Sequence, residues 1–239
     1  MTKKMIILTG LGSSGTRVYA EIFKNFGFHI GNHLNESFDN LDTALGGMNI
    51  IPEEIQLIKN YDYNKFLPKF EIALENSGFI NNFIVFKNPN NMWIIELISR
   101  YCKDNKIELN VFYIFCPRIY MINRLHQVQY QHYWHLFKDK YKYEKNSDYN
   151  KLEWLYYSNE YFTNFLSNNK IRYFIHNYKN LVENTEQEIN NLKKELLEID
   201  DKININSDND KDMINKIKSH GFTKNSYKGE ISQEIEYML

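Results

Sequence analysis

The N-terminal segment reads Met5-Ile6-Ile7-Leu8-Thr9-Gly10-Leu11-Gly12-Ser13-Ser14-Gly15-Thr16-Arg17. Met5 to Thr9 are apolar or β-prone with no polar alternation, the pattern of a strand buried on both faces. The glycines that follow let the main chain turn sharply and let a ligand approach bare backbone. From Gly15 the pattern becomes helical, with Val18, Ile22, Phe23 and Phe26 on one face. Strand, glycine loop and helix N-terminus together form an anion cradle, because unpaired N–H groups and the positive end of the helix dipole converge there.

Outward from this unit the chain alternates strands and helices. The first helix is expected to end near Gly27, with Phe28-His29-Ile30 as a short strand. Gly31 to Asn49 is a polar connection of a length usually reserved for functional loops. Pro52 marks a helix start, and Phe66 to Leu74 reads as a helix closed by Gly78. Asn82 to Lys87 is the second strand, ending at Asn88-Pro89, and a helix over Asn91 to Lys103 carries Trp93, Leu97 and Tyr101 on one face. Leu109 to Phe115 is the third strand, ending at Cys116-Pro117-Arg118. A helical stretch through His135, a charged loop over Lys138 to Ser147 and an aromatic helix over Asp148 to Ser167 follow. In that helix Tyr156, Tyr157, Tyr161 and Phe165 are the expected core face. Ile171 to Ile175 is the fourth strand, Glu186 to Ile199 a helix and Asp201 to Asp212 a polar linker, before a weakly patterned end. Strands separated by helices predict an α/β fold with a central parallel sheet flanked by helices. With no internal repeat and no dividing linker, residues 1–239 are read as a single domain, with a core over about 5–200 and a C-terminal segment over 201–239.

Composition excludes several classes. With 29 basic and 30 acidic residues, no polyelectrolyte partner is advertised, so no nucleic acid binding by bulk charge is expected. Two cysteines, Cys102 and Cys116, make no disulfide framework and suit a reducing compartment. Neither a secretory apolar segment nor a run long enough to span a membrane is present, so a cytoplasmic protein with no membrane partner is expected. His132 and His135 share a helix face, yet no carboxylate or cysteine nearby completes a metal-ligand set, and no metal site is expected.

In a parallel sheet, ligands bind outside the carboxyl ends of the strands. Those ends carry the glycine loop, then Lys87 with Asn88 and Pro89, then Arg118 and Asn123: an anion loop, a lysine and an arginine on one side. Gly10 and Gly15 have the spacing of a Walker A loop, but Thr16-Arg17 replace its Lys-Ser/Thr pair. The partner of the β- and γ-phosphates and the magnesium-binding hydroxyl are both missing, which points away from ATP or GTP hydrolysis.

The Ser14-Gly15-Thr16 ending resembles the 5′-phosphosulfate loop of the sulfotransferases that use 3′-phosphoadenosine-5′-phosphosulfate (PAPS). The resemblance extends in order from residue 5 to about 200: Lys87-Asn88-Pro89 is similar to the family's Lys-x-Pro strand end, Pro117-Arg118 to its Arg-x-Pro-Arg turn, and Arg172 to Asn184 to its Tyr-Glu-Asp-Leu-Val passage. Gly221 to Gly229 resembles the late nucleotide loop more weakly. The resemblance implies a P-loop NTPase-like fold and metal-independent in-line sulfuryl transfer from PAPS to a hydroxyl or amine, with 3′,5′-adenosine bisphosphate (PAP) as product. It implies nucleotide binding by Gly12, Ser13, Ser14, Gly15, Thr16 and Arg17, with Arg118 and Asn123 at the 3′-phosphate. Lys87 and Arg17 become the cations of the transfer, and Asp39 the base, chosen from a loop that also holds His33, Glu36 and Asp42. A small-molecule or carbohydrate acceptor is implied. Two departures stand out: Ser13 occupies the usual Lys/Arg position, and Phe115 the usual arginine. Two alternatives stay open: a magnesium-ATP small-molecule or nucleotide kinase with a degenerate phosphate loop, and a non-catalytic nucleotide-binding protein.

Overall fold

The computed structural model describes residues 3–11, 14–50, 62–79, 83–115 and 159–220. Four strands, β1 (Lys4–Thr9), β2 (Phe83–Lys87), β3 (Glu108–Phe115) and β4 (Arg172–Asn177), form one sheet in the order β2-β1-β3-β4. Every pairing is parallel, with Met5 between Ile84 and Leu109 and Tyr113 beside Ile175. The expected α/β architecture is therefore the observed one, and the glycine loop leaves an inner strand.

The pleat explains the two-sided apolar code of β1. Met5 and Ile7 point into one core with α2 (Tyr63–Asn76), α3 (Ile95–Asp104) and α4 (residues 159–168). Ile6 and Leu8 point into a second core with α1 (Thr16–Asn25), α5 (Tyr178–Glu183), α6 (Thr185–Ile199) and α7 (Asp210–His220). Each fully buried Leu, Ile or Phe contributes about 1.5–3 kcal/mol, so these two layers supply the main drive to fold.

Local chemistry sets the helix starts. Asp62 caps α2 by accepting from the Asn64 N–H, which starts the helix three residues before the expected Phe66. Asn88 accepts from the Asn90 N–H and Pro89 occupies the first helical position, so a 3-10 turn over Pro89–Ile94 precedes α3. Trp93, Leu97 and Tyr101 are buried, as their spacing predicts.

Three expectations need correction. Phe28-His29-Ile30 is not a strand: Gly27 takes φ +93° and the Phe28 N–H bonds the Phe23 carbonyl, so this segment's backbone closes α1 instead. In α4 the fully buried residues are Phe162 and Leu166, one position beyond the expected Tyr161 and Phe165, which are half-buried. The Tyr161 hydroxyl explains the offset, because it reaches Glu96 at the rim and a tyrosine tip needs such a partner. Finally, α7 occupies the end of the expected linker and the weakly patterned region; Met213 and Ile217, one turn apart, bury against the α1 layer. The helix expected from Pro52 and the region 116–158, including Cys116, His132 and His135, lie outside the described residues, as does everything from 221. No helix among the described residues is long and apolar enough to cross a membrane.

Candidate functional site

The loop after β1 is built by exclusion of side chains. At Gly10 a Cβ would stand 2.3 Å from the Ile114 carbonyl oxygen of β3, so no other residue fits. The turn closes when the Ser14 N–H donates to the Leu11 carbonyl at 3.0 Å. Gly15 then takes φ +100°, and a Cβ there would lie 2.4 Å from the ring of Tyr178. α1 begins at Thr16, and among the described residues no side chain caps its first turn. The Ser14 hydroxyl is buried and has no hydrogen-bond partner among the described residues. An orphaned buried hydroxyl is costly unless something accepts from it or donates to it. Beside an uncapped helix N-terminus, a phosphate-type oxygen is the group that fits it.

The end of β2 is fastened to this loop. Thr9 Oγ1 lies 3.1 Å from the Asn88 carbonyl and 3.2 Å from that of Pro89. Lys87, the last residue of β2, is 2% exposed; its ammonium donates to the Ser37 carbonyl at 3.0 Å and to Asp39 Oδ1 at 2.5 Å. Burial lowers the pKa of Lys87, the Asp39 carboxylate opposes that, and nearby Arg17 adds to it, leaving the amine below the ordinary lysine value. Arg17 itself is exposed on the first turn of α1.

The long polar connection is folded tightly onto this strand end. Asn35 Oδ1 accepts from the Ser37 and Asp39 N–H groups, Phe38 takes φ +59°, and Leu34 and Asn40 form an antiparallel bridge. The Asn40 N–H then donates to the Lys87 carbonyl at 2.8 Å, and Asn88 Nδ2 donates to the Asn40 carbonyl at 3.2 Å. On the same segment His33 Nδ1 faces both oxygens of Asp42, at 3.1 and 3.0 Å. Asp42 also accepts from the Ser77 hydroxyl at 3.2 Å, which leaves His33 exposed on a fixed carboxylate. Among the described residues no group of three His, Cys, Asp or Glu is placed to hold a metal ion.

The structure thus places Ser14, Gly15 and Thr16 at the helix N-terminus and joins Lys87 to Asp39, two residues 48 positions apart. Gly12, Ser13, Arg118 and Asn123 lie outside the described residues. Sequence reading missed the Thr9 tie and the support of Gly15 by Tyr178. The first had a signal, a single hydroxyl ending an apolar strand; the second had none, since the contact depends on β4 reaching the loop.

No protein-family model matches the chain, and no curated protein matches it. Three chains of solved structures match, among them the following two. Shikimate kinase from Bacteroides thetaiotaomicron is 12% identical, with 81% of this chain and 98% of that one covered at a TM-score of 0.47. A sulfotransferase domain from the curacin biosynthetic pathway is 15% identical, with 82% and 74% covered at 0.46. At these values neither likeness bears on function.

Proposed function

We propose that this protein is a PAPS-dependent sulfotransferase acting on a hydroxyl or amine of a small-molecule or carbohydrate acceptor. The observation that carries the reading is the orphaned, buried Ser14 hydroxyl at the uncapped N-terminus of α1, in a loop lacking the Walker lysine and magnesium-binding hydroxyl. Such a loop suits a phosphate-type group that comes without a metal. When bound, the donor supplies an activated sulfuryl group, and the enzyme's task is then positioning and charge stabilisation.

In this reading the backbone of Ser14, Gly15 and Thr16 holds the 5′-phosphate, and Arg118 and Asn123 serve the 3′-phosphate. Lys87 presents a buried positive charge at the adjacent strand end, and Asp39 fixes where that charge sits. His33 is the proton acceptor: Asp42 takes its Nδ1–H and thereby leaves Nε2 as the basic nitrogen. Asp39 then acts as the counter-ion of Lys87 rather than as the base.

The test is PAP release from PAPS with a panel of phenolic, carbohydrate and amine acceptors. Acceptor-dependent release, insensitive to chelator and lost in Lys87→Met, is the expected result. Phosphorylation of an acceptor from magnesium-ATP would replace the reading with a kinase. Tight PAP binding with no release across the panel would replace it with a non-catalytic nucleotide-binding protein.

A further inference from the structure

Behind the glycine loop lies a buried charged cluster that the proposed transfer does not use. His176 of β4 is 3% exposed and sits between two carboxylates of α6. Its Nδ1 is 2.7 Å from Glu188 Oε1 and its Nε2 is 2.8 Å from Glu195 Oε2. The first contact is aligned as a hydrogen bond; the second is not and acts as an ion pair. Tyr19 of α1 donates its hydroxyl to the same Glu188 oxygen at 3.1 Å, with its ring centre 5.5 Å from the imidazole. Phe112 of β3 stacks on that imidazole at 5.6 Å. Titratable groups therefore face His176 from α1 (Tyr19) and α6 (Glu188 and Glu195), and Tyr178 of α5 adds its influence on Tyr19.

Two neighbouring residues connect this cluster to the loop. The Asn177 carbonyl, next after His176, lies 3.4 Å from the Tyr19 hydroxyl. Tyr178 follows, and its ring occupies the space beside Gly15 that a side chain would fill. Tyr19 stands one helical turn from Gly15 and Thr16. The junction of loop and helix is thus held at two points, at Gly15 by Tyr178 of α5 and at Tyr19 by Glu188 of α6.

We propose that Tyr19, His176 and Glu188 are positioning residues for the glycine loop, so that anion binding there is coupled to the charge on His176. The proposal rests on the loop binding an anion, whichever nucleotide carries it. With a protonated imidazole, the cation lies between two carboxylates and α6 is drawn against β4. With a neutral imidazole, Glu188 keeps its bonds to Nδ1, Tyr19 and Asn191, but Glu188 and Glu195 repel each other across an uncharged ring. The hold on the first turn of α1 then loosens, and the anion binds less tightly. Coupling is reciprocal, so a bound anion in turn favours the protonated imidazole. Burial disfavours the charged imidazole, but the two carboxylates more than offset it and raise its pKa above the ordinary histidine value.

The experiment measures binding of PAP and of inorganic pyrophosphate from neutral to alkaline pH, beside an NMR titration of the His176 imidazole and the Gly15 amide. In the unmodified protein the Kd rises about fivefold or more as His176 loses its proton, the lower range of allosteric coupling. The Gly15 amide resonance shifts with the same midpoint. Tyr19→Phe keeps the ring and the His176 titration but flattens the pH dependence of both Kd and the Gly15 shift; His176→Gln flattens them as well. Equal pH dependence in the unmodified protein and Tyr19→Phe would overturn the proposal, as would a Gly15 amide indifferent to the His176 titration. If neither PAP nor pyrophosphate binds, the functional reading fails, and the Gly15 titration still decides the coupling on its own.

Discussion

The ammonium of Lys87 and the carboxylate of Asp39 form a close pair at the end of β2, with the lysine side chain all but sealed from water. One partner comes from a buried strand and the other from a polar loop. The pair therefore fastens the loop over Gly31 to Asn49 onto the same sheet end as the glycine loop. Asp39→Asn leaves a buried ammonium without its counter-ion. Removal of one partner from a buried pair costs about 3–5 kcal/mol, and the lower end applies because Asp39 keeps part of its surface in water. Urea unfolding should show that loss for Asp39→Asn and a smaller one for the double variant Lys87→Met/Asp39→Asn, in which no charge is stranded.

The glycine loop tolerates no side chain at two positions, for different reasons. Gly10→Ala drives a methyl group into the Ile114 carbonyl, a rigid part of β3. Gly15→Ala meets the Tyr178 ring and also holds alanine at φ +100°, a conformation that costs on the order of 1–3 kcal/mol by itself. Both variants should lose PAP binding, and Gly15→Ala should cost less stability in a Tyr178→Ala background than in the unmodified protein, because the buried ring is then already gone. Unfolding and calorimetric titration of the single and double variants check this.

The histidine–glutamate pair behind the loop gives stability a defined pH window. The raised pKa of His176 means that its contribution is complete below the ordinary histidine range and is lost as pH rises through the elevated value. Burial raises the pKa of Glu188, but the bond and charge of His176, with the bonds from Tyr19 and Asn191, outweigh burial, and the net shift is downward. Its contribution is therefore present above the ordinary carboxylate range and is lost as pH falls through the depressed value. Stability should peak between these two limits, and His176→Gln should remove the alkaline slope while leaving other carboxylate-driven losses at low pH. Urea midpoints across pH measure it.

His33 and Asp42 should behave in the opposite manner to Lys87 and Asp39. The imidazole is largely exposed, and exposed pairs contribute about 0–1 kcal/mol. His33→Gln should leave the unfolding midpoint nearly unchanged while abolishing acceptor-dependent PAP release. Comparable losses of stability and turnover would remove His33 from the role of base.

The parallel sheet was legible because its code is local: β1 to β3 are short apolar runs, each followed in the sequence by a glycine or a proline within two residues. Lys87 was legible as a strand-end residue for the same reason. Its pairing with Asp39 was not, because that contact is made by a loop whose path is set by Asn35, Asn40 and Asn88, polar residues with no periodic signature. α7 escaped notice because its apolar residues are few, Met213, Ile214 and Ile217, among charged neighbours. His176 was hidden by its strand: one polar residue in β4 looks like solvent exposure until Glu188 and Glu195, two turns apart on α6, close around it.

The most direct measurement is the thermal shift of the purified protein with PAP beside that with magnesium-ATP. A ligand that binds only the native state at about 100 times its Kd adds about 2.7 kcal/mol, which moves a melting curve visibly. Stabilisation by PAP without metal, lost in Gly15→Ala, and none by magnesium-ATP is the expected result. Stabilisation by magnesium-ATP alone, or by neither ligand, would contradict it.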